Sequence, residues 1–159
     1  MKKTLMILGG VLLGLIALLA VGYAVLDTKG RALDRESKAY VDAAIPAIAS
    51  EWDIQELKKR ASPELLGALK EGDLEKMTGM YRRLGKLKKY QGCKGDAIIS
   101  TTAWHGSRIF AKYVVKAEFE RGTVDIKVDL IKHGDQWQLA GLFLNIPLNS
   151  ELYKEVIGQ

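Results

Sequence analysis

From Thr4 to Leu26 the chain carries no charged residue, and beyond that stretch its apolar positions follow two different rhythms. Leu5 to Leu26 would reach about 33 Å as a helix, enough to cross the hydrocarbon of a bilayer. From there to about Gly85 the spacing is helical. Val41, Ile45, Ile48 and Trp52 recur at intervals of four, three and four and share one face, and Pro46 within that run predicts a kink or a break. Asp53 opens an Asp-x-x-Glu capping box, with Ile54, Leu57 and Ala61 as the apolar stripe behind it. Ser62, Pro63 and Glu64 read as the N-cap, first position and first-turn acid of another helix. Asp73 can cap a further one, whose Leu74, Met77, Tyr81 and Leu84 align and which Gly85 closes.

From about Leu87 the period becomes two. Ile109, Ala111, Tyr113, Val115, Ala117 and Phe119 alternate with Phe110, Lys112, Val114, Lys116 and Glu118. Val124, Ile126, Val128 and Leu130 then alternate with Asp125, Lys127 and Asp129, the pattern of a half-buried antiparallel strand. Arg121-Gly122-Thr123 and His133-Gly134-Asp135 are hairpin turns. An earlier strand through Cys93 to Trp104 and a last one from Trp137 to Ile146 complete a four-stranded meander. Helices followed by strands predict an α+β fold, with several helices on one face of a curved antiparallel sheet. The chain is therefore read as a membrane segment (1–27), a polar stretch (28–36) that is a stalk or the first turn of a helix, and one domain (37–159). There is no internal repeat and no second domain.

Lys2 and Lys3 precede the apolar run, so the positive-inside rule keeps the N-terminus in the cytoplasm and sends the domain outward. The alternative is a signal peptide cleaved near Gly22-Tyr23-Ala24, which would release the domain into the periplasm or medium. The apolar run exceeds the length of a signal h-region and favours an uncleaved single-pass anchor in the inner membrane. Gly10 and Gly14, with Gly9 beside them, form a GxxxG face that would suit a homodimer, although glycine is common in membrane helices.

Charge and cysteine content remove several classes of function. The net charge of +5 includes Lys2 and Lys3, and the excess left on the domain is too slight to imply nucleic acid. Tyr81 and Tyr90 are too few for a base-stacking platform. Cys93 is the only cysteine, which excludes an internal disulfide, a Cys-rich zinc site and a CxxC pair, and it reads as a buried, inert thiol. His105 and His133 sit in separate turns with no ligand at metal spacing, so no metal and no cofactor is expected.

The candidate pocket residues are Tyr113, Trp137, Trp52 and Phe143. Trp137, with Leu139 and Phe143 at its own parity, reads first as a core plug and second as the wall of a cavity mouth. Tyr113 is the polar-tipped residue on the inward face of its strand, either a satisfied core tyrosine or a donor inside a pocket. Asp96, Asp125 and Asp129 are conceivable general bases, but two of them point to solvent by parity. The densest feature is basic. Arg82, Arg83, Lys86, Lys88, Lys89 and Lys94 follow one another without an intervening acid, a patch for anionic lipid or an acidic partner, or simply a solvated helix end.

The short amphipathic helices, the glycine-closed helix before a long strand, and the segments "KAEFERG", "VDIKVDL" and "GDQWQLAGLFL" resemble small exported proteins of the NTF2-like, cystatin-like superfamily. The resemblance spans roughly Ser37 to Ile146. It implies a curved sheet and helices enclosing a conical cavity, which some members use as an active site, as in ketosteroid isomerase, and others use for ligands or protein partners. The strand from Val124 to Leu130 offers no acid on its apolar face, and a catalytic Asp with a Tyr oxyanion partner does not map onto this chain. Two classes of function remain open. One is a non-enzymatic, membrane-anchored envelope protein that binds a protein partner or a small apolar ligand. The other is a small isomerase- or hydrolase-type enzyme using the cone, with Tyr113 or an unassigned acid moving a proton. An open pocket with a buried acid beside a tyrosine would favour the enzyme. A cone filled by Trp52, Trp104, Trp137 and Phe143 would favour the binding protein.

Overall fold

A computed structural model describes residues 28–70, 72–102, 106–146 and 151–156. The apolar segment with its Gly10/Gly14 face, the cleavage alternative, Trp104 and His105 lie outside the described residues. Among the described residues no helix is long and apolar enough to cross a membrane. The chain divides into two compact units, Met1–Leu33 and Asp34–Gln159. Of the first, residues 28–33 are described, and they are helical.

The second unit is α+β. It opens with helix α1 (residues 34–49), followed by α2 (Ile54–Arg60), α3 (Pro63–Ala68), α4 (Asp73–Tyr81) and a 3-10 turn (Arg82–Leu84). Strands β1 (Leu87–Thr102), β2 (Gly106–Phe119), β3 (Gly122–His133) and β4 (Gln136–Asn145) form one antiparallel sheet in chain order, and α5 (Glu151–Val156) follows. Val41, Ala44, Ile45, Ile48 and Ala49 of α1 are all buried. At about 1.5–3 kcal/mol for each larger side chain, that face outweighs the roughly 3 kcal/mol that a proline costs inside a helix. Of the kink or break that the sequence predicts at Pro46, the break does not occur: helix α1 continues through it, and the Pro46 carbonyl accepts from Ser50 N at 3.0 Å.

The cap signals mostly hold. The Asp53 carboxylate accepts from Gln55 N at 2.8 Å, while Glu56 turns away to pair with Arg60, so only half of the predicted box forms. Ser62 accepts from Leu65 N at 3.2 Å, with Pro63 first in its helix. At α4 the N-cap is Gly72, and Asp73 is the first helical residue.

The inward residues of β2 and β3 are those that the alternation predicts. Ala111, Tyr113, Val115, Ala117 and Phe119, then Val124, Ile126, Val128 and Leu130, are buried. Two departures matter for the site. Strand β1 begins six residues earlier than its sequence suggests and is bulged between Tyr90 and Cys93. In β4 a register shift opposite Asp129/Leu130 inserts Ala140, so the parity set by Trp137 and Leu139 passes to Leu142 and Leu144. Phe143 consequently faces away from the helices.

Both sheet edges are partly closed. On β4, Ala61 bridges Leu139 and Ser62 N donates to the Leu139 carbonyl at 2.8 Å. On β1, Ala97 N donates to the Asp34 carboxylate at 2.7 Å.

Candidate functional site

Polar groups from one side of α1 meet the inward face of β1 and β2 in a continuous seam. Asp34, Ser37, Lys38 and Asp42 lie three, four and eight positions apart, so one flank of the helix presents all of them. Tyr113 Oη donates to the Asp34 carbonyl at 3.1 Å and lies 2.8 Å from Ser37 Oγ, which itself lies 3.2 Å from the same carbonyl. Two hydroxyl protons thus serve three short contacts in a buried place. Burial pushes the Tyr113 phenol above its ordinary value. A protonated phenol committed to a backbone carbonyl is a fastener between sheet and helix.

Further along, Asp42 gathers three donors. Tyr90 Oη donates at 2.6 Å and Cys93 Sγ at 3.4 Å to one carboxylate oxygen, and Lys38 Nζ donates at 2.7 Å to the other. The bulge makes this arrangement. Residues 90 and 93 are an odd number apart and would face opposite sides of a regular strand, and one extra residue turns both toward α1. Burial works to raise the Asp42 pKa, but the bonds from Lys38, Tyr90 and Cys93 outweigh it and hold the carboxyl below its usual range. Burial raises the Cys93 thiol and, together with the bond to Asp42, the Tyr90 phenol. The thiol is therefore kept as a neutral donor, the opposite of the depressed pKa that a nucleophilic cysteine needs.

These shifts fix the pH dependence of stability. The folded Asp42 pKa is depressed, so its contribution is present above the unfolded value of about 3.9 and fades as pH falls through the folded one. The folded Cys93 pKa is raised, so its contribution is complete below about 8.5 and fades as pH climbs through the folded value. Denaturation midpoints measured across pH should fall at both ends. Asp42→Asn should flatten the acid limb and Cys93→Ala the first part of the alkaline limb. An alkaline limb unchanged in Cys93→Ala would contradict the assignment.

The pocket candidates do not assemble. Trp52 is 1% exposed, stacked on Phe119 at 5.7 Å and edge-on to Tyr81 at 4.9 Å. Trp137 is 7% exposed, and Lys132 Nζ sits 5.6 Å from its ring centroid while pairing with Glu36 at 2.6 Å. Phe143 lies on the other side of the sheet and is 56% exposed, so the shared parity with Trp137 expected from the sequence is overturned by the bulge at Ala140. Its ring covers Gly141, where a side chain would collide with it. His133 pairs with Glu64 at 3.0 Å, and among the described residues no three metal-ligating side chains converge.

The basic run is also dispersed by folding. All six residues are exposed, but Arg82 Nε donates to the Glu51 carbonyl, Lys86 shares a cleft with Glu51 and Glu120, and Lys89 lies opposite Glu118. Acids distant in sequence fill the gaps that the linear reading takes as empty. Arg83 and Lys88 stay at the strand entry, and Lys94 alone lies beyond the bulge.

On the outer face of the sheet, pairing aligns Lys94, Val114, Lys127 and Phe143 in one row across all four strands. Beside it run Asp96, Lys112, Asp129 and Gly141 on one flank and Lys116, Asp125 and Asn145 on the other. Val114 is 43% exposed. The linear pattern assigns Lys94 to the basic run, Phe143 to the pocket candidates and Asp96, Asp125 and Asp129 to conceivable bases. It does not bring them onto one face, because their order across strands depends on register, and it gives no role to Asp34, Ser37 and Asp42. The spacing Asp34, Lys38, Asp42 was the available signal.

No family model matches the chain, and no curated protein sequence matches it.

Proposed function

We propose that this chain is a non-enzymatic, single-pass envelope protein, anchored by its N-terminal segment, whose extracytoplasmic domain docks a protein partner on the outer face of its sheet. We read that domain as NTF2-like, with the space of the family's cone given over to side-chain packing. The order of helices followed by a four-stranded meander is compatible with that reading, and Lys2, Lys3 and the uncharged run to Leu26 support the anchor.

The observation that carries the docking reading is the contrast between the two faces. The inward face is spent on α1, with Tyr113, Tyr90 and Cys93 all committed as donors. The outer face exposes Val114 between Lys94 and Lys127, and Phe143 beyond Lys127 on the edge strand. Bare apolar groups ringed by charge are the composition of a partner-binding patch, and here they suit a surface with apolar knobs and acidic flanks.

A photo-crosslinking residue in place of Phe143, in the intact chain in native membranes, should give one discrete protein adduct that disappears with Lys127→Glu. The same residue in place of Leu66, also exposed but remote on α3, should not give it. Equal adducts from both positions would remove the docking face. A C-terminal reporter active only in the cytoplasm would remove the location.

A further inference from the structure

We propose that the cleft at the β1 bulge is a binding site for a substituted tetrahedral oxyanion, a phosphomonoester or phosphodiester group held by Lys38, Lys94 and Lys116. The bulge opens a cleft of about 440 Å³ whose walls include those three lysines, Gln91, Gly92 and Asp125. That volume lies within the usual range of small-ligand sites.

Its lining carries three ammonium groups and one carboxylate, and Asp42, outside the lining, pairs with Lys38. Among the described residues neither Lys94 nor Lys116 is held in an ion pair, although Asp125 is the cross-strand neighbour of Lys116. Lys38 gives one bond to Asp42 and has two further ammonium donors to offer.

The lysines come from three elements: Lys38 from α1, Lys94 from β1 and Lys116 from β2. Lysine ammonium groups act as point charges without a fixed approach, whereas the planar fork of arginine imposes edge-on, bidentate contact on a carboxylate or a phosphate. Charges brought in from three elements match an anion whose oxygens diverge in three directions. A cleft of this size exceeds a bare ion, and Val114 with the lysine methylene stems supplies apolar wall for a substituent. Gly92 leaves part of the wall as bare backbone, since a Cβ at that position meets nothing within 4 Å.

The source of the phosphate is either a soluble ester or an anionic lipid headgroup, and the two separate by experiment. The full chain, isotopically labelled, is titrated in zwitterionic micelles with glycerol phosphate, and is separately placed in phosphatidylcholine nanodiscs with and without phosphatidylglycerol. Saturable shifts of the Gly92 and Gly95 amides are expected in at least one arm. Shifts with glycerol phosphate identify a soluble ester, and shifts that require phosphatidylglycerol identify the headgroup.

Lys94→Gln with Lys116→Gln should weaken binding by roughly tenfold or more. Lys86→Gln with Lys88→Gln, at the strand entry, should leave it within about twofold. All four residues are exposed, and an otherwise unchanged spectrum verifies that each variant folds. No saturable shift in either arm, or equal losses in the two double variants, overturns the site. The cleft does not depend on the docked partner, because Lys127→Glu should abolish the crosslink from position 143 and leave these shifts intact.

Discussion

Gly95→Ala should cost about 3–5 kcal/mol, one of the largest losses available from a single methyl group in this chain. A Cβ on Gly95 would lie inside the Lys112 carbonyl oxygen and 2.8 Å from both the Lys112 carbonyl carbon and Tyr113 Cα. Those are backbone atoms of the neighbouring strand, with no flexible end to swing aside. The glycine also holds φ at +155°, which a side chain disfavours. Relief requires β1 to move away from β2, and that movement would break the Ala97–Asp34 bond and pull Tyr90 and Cys93 from Asp42. Gly92→Ala is the control. Its φ of +96° is also unfavourable, but its Cβ would enter open space, so the loss should be only about 1 kcal/mol. Urea denaturation of the three proteins measures the difference, and equal losses would mean that backbone conformation alone, and not the strand contact, makes Gly95 necessary.

That pair of glycines also marks where the sequence stops being legible. Alternation along β2 and β3 named the inward residues, because a sheet with one face buried repeats every two positions and the burial follows it. The Ser62 cap and the Gly85 stop were legible because each is a local hydrogen-bonding or conformational requirement. Bulges have no comparable local signature. The extra residue in β1 turned Tyr90 and Cys93 onto Asp42, and Ala140 sent Phe143 to the opposite face from Trp137. At Pro46 a local rule favours a break, and the packing of α1 keeps the helix continuous. The basic run looked concentrated because sequence distance hid Glu51, Glu118 and Glu120, which folding brings alongside. Each failure belongs to the pairing of elements, which a linear pattern does not contain.

Trp52→Ala should cost about 3–5 kcal/mol, and the reason lies in the backbone as much as in the ring. Trp52 holds φ at +50°, the one non-glycine residue with positive φ among those described. A side chain in that region costs roughly 1–2 kcal/mol, and the indole nitrogen is buried without a hydrogen-bond partner. The fold tolerates both because the turn after α1 drives the ring between Phe119 and Tyr81, joining the first helix to the end of β2 and of α4. Alanine keeps the backbone strain and discards the packing that offsets it. Trp52→Phe keeps most of the contact and removes the unpartnered N–H, so it should lose only about 1–2 kcal/mol. For a domain of this size the alanine variant should melt roughly 10–20 °C lower than the parent. Calorimetry on the two variants measures this directly. A midpoint for Trp52→Ala within a few degrees of the parent would show that the ring is dispensable to the core, and the argument that the inward face is spent on packing would fail with it.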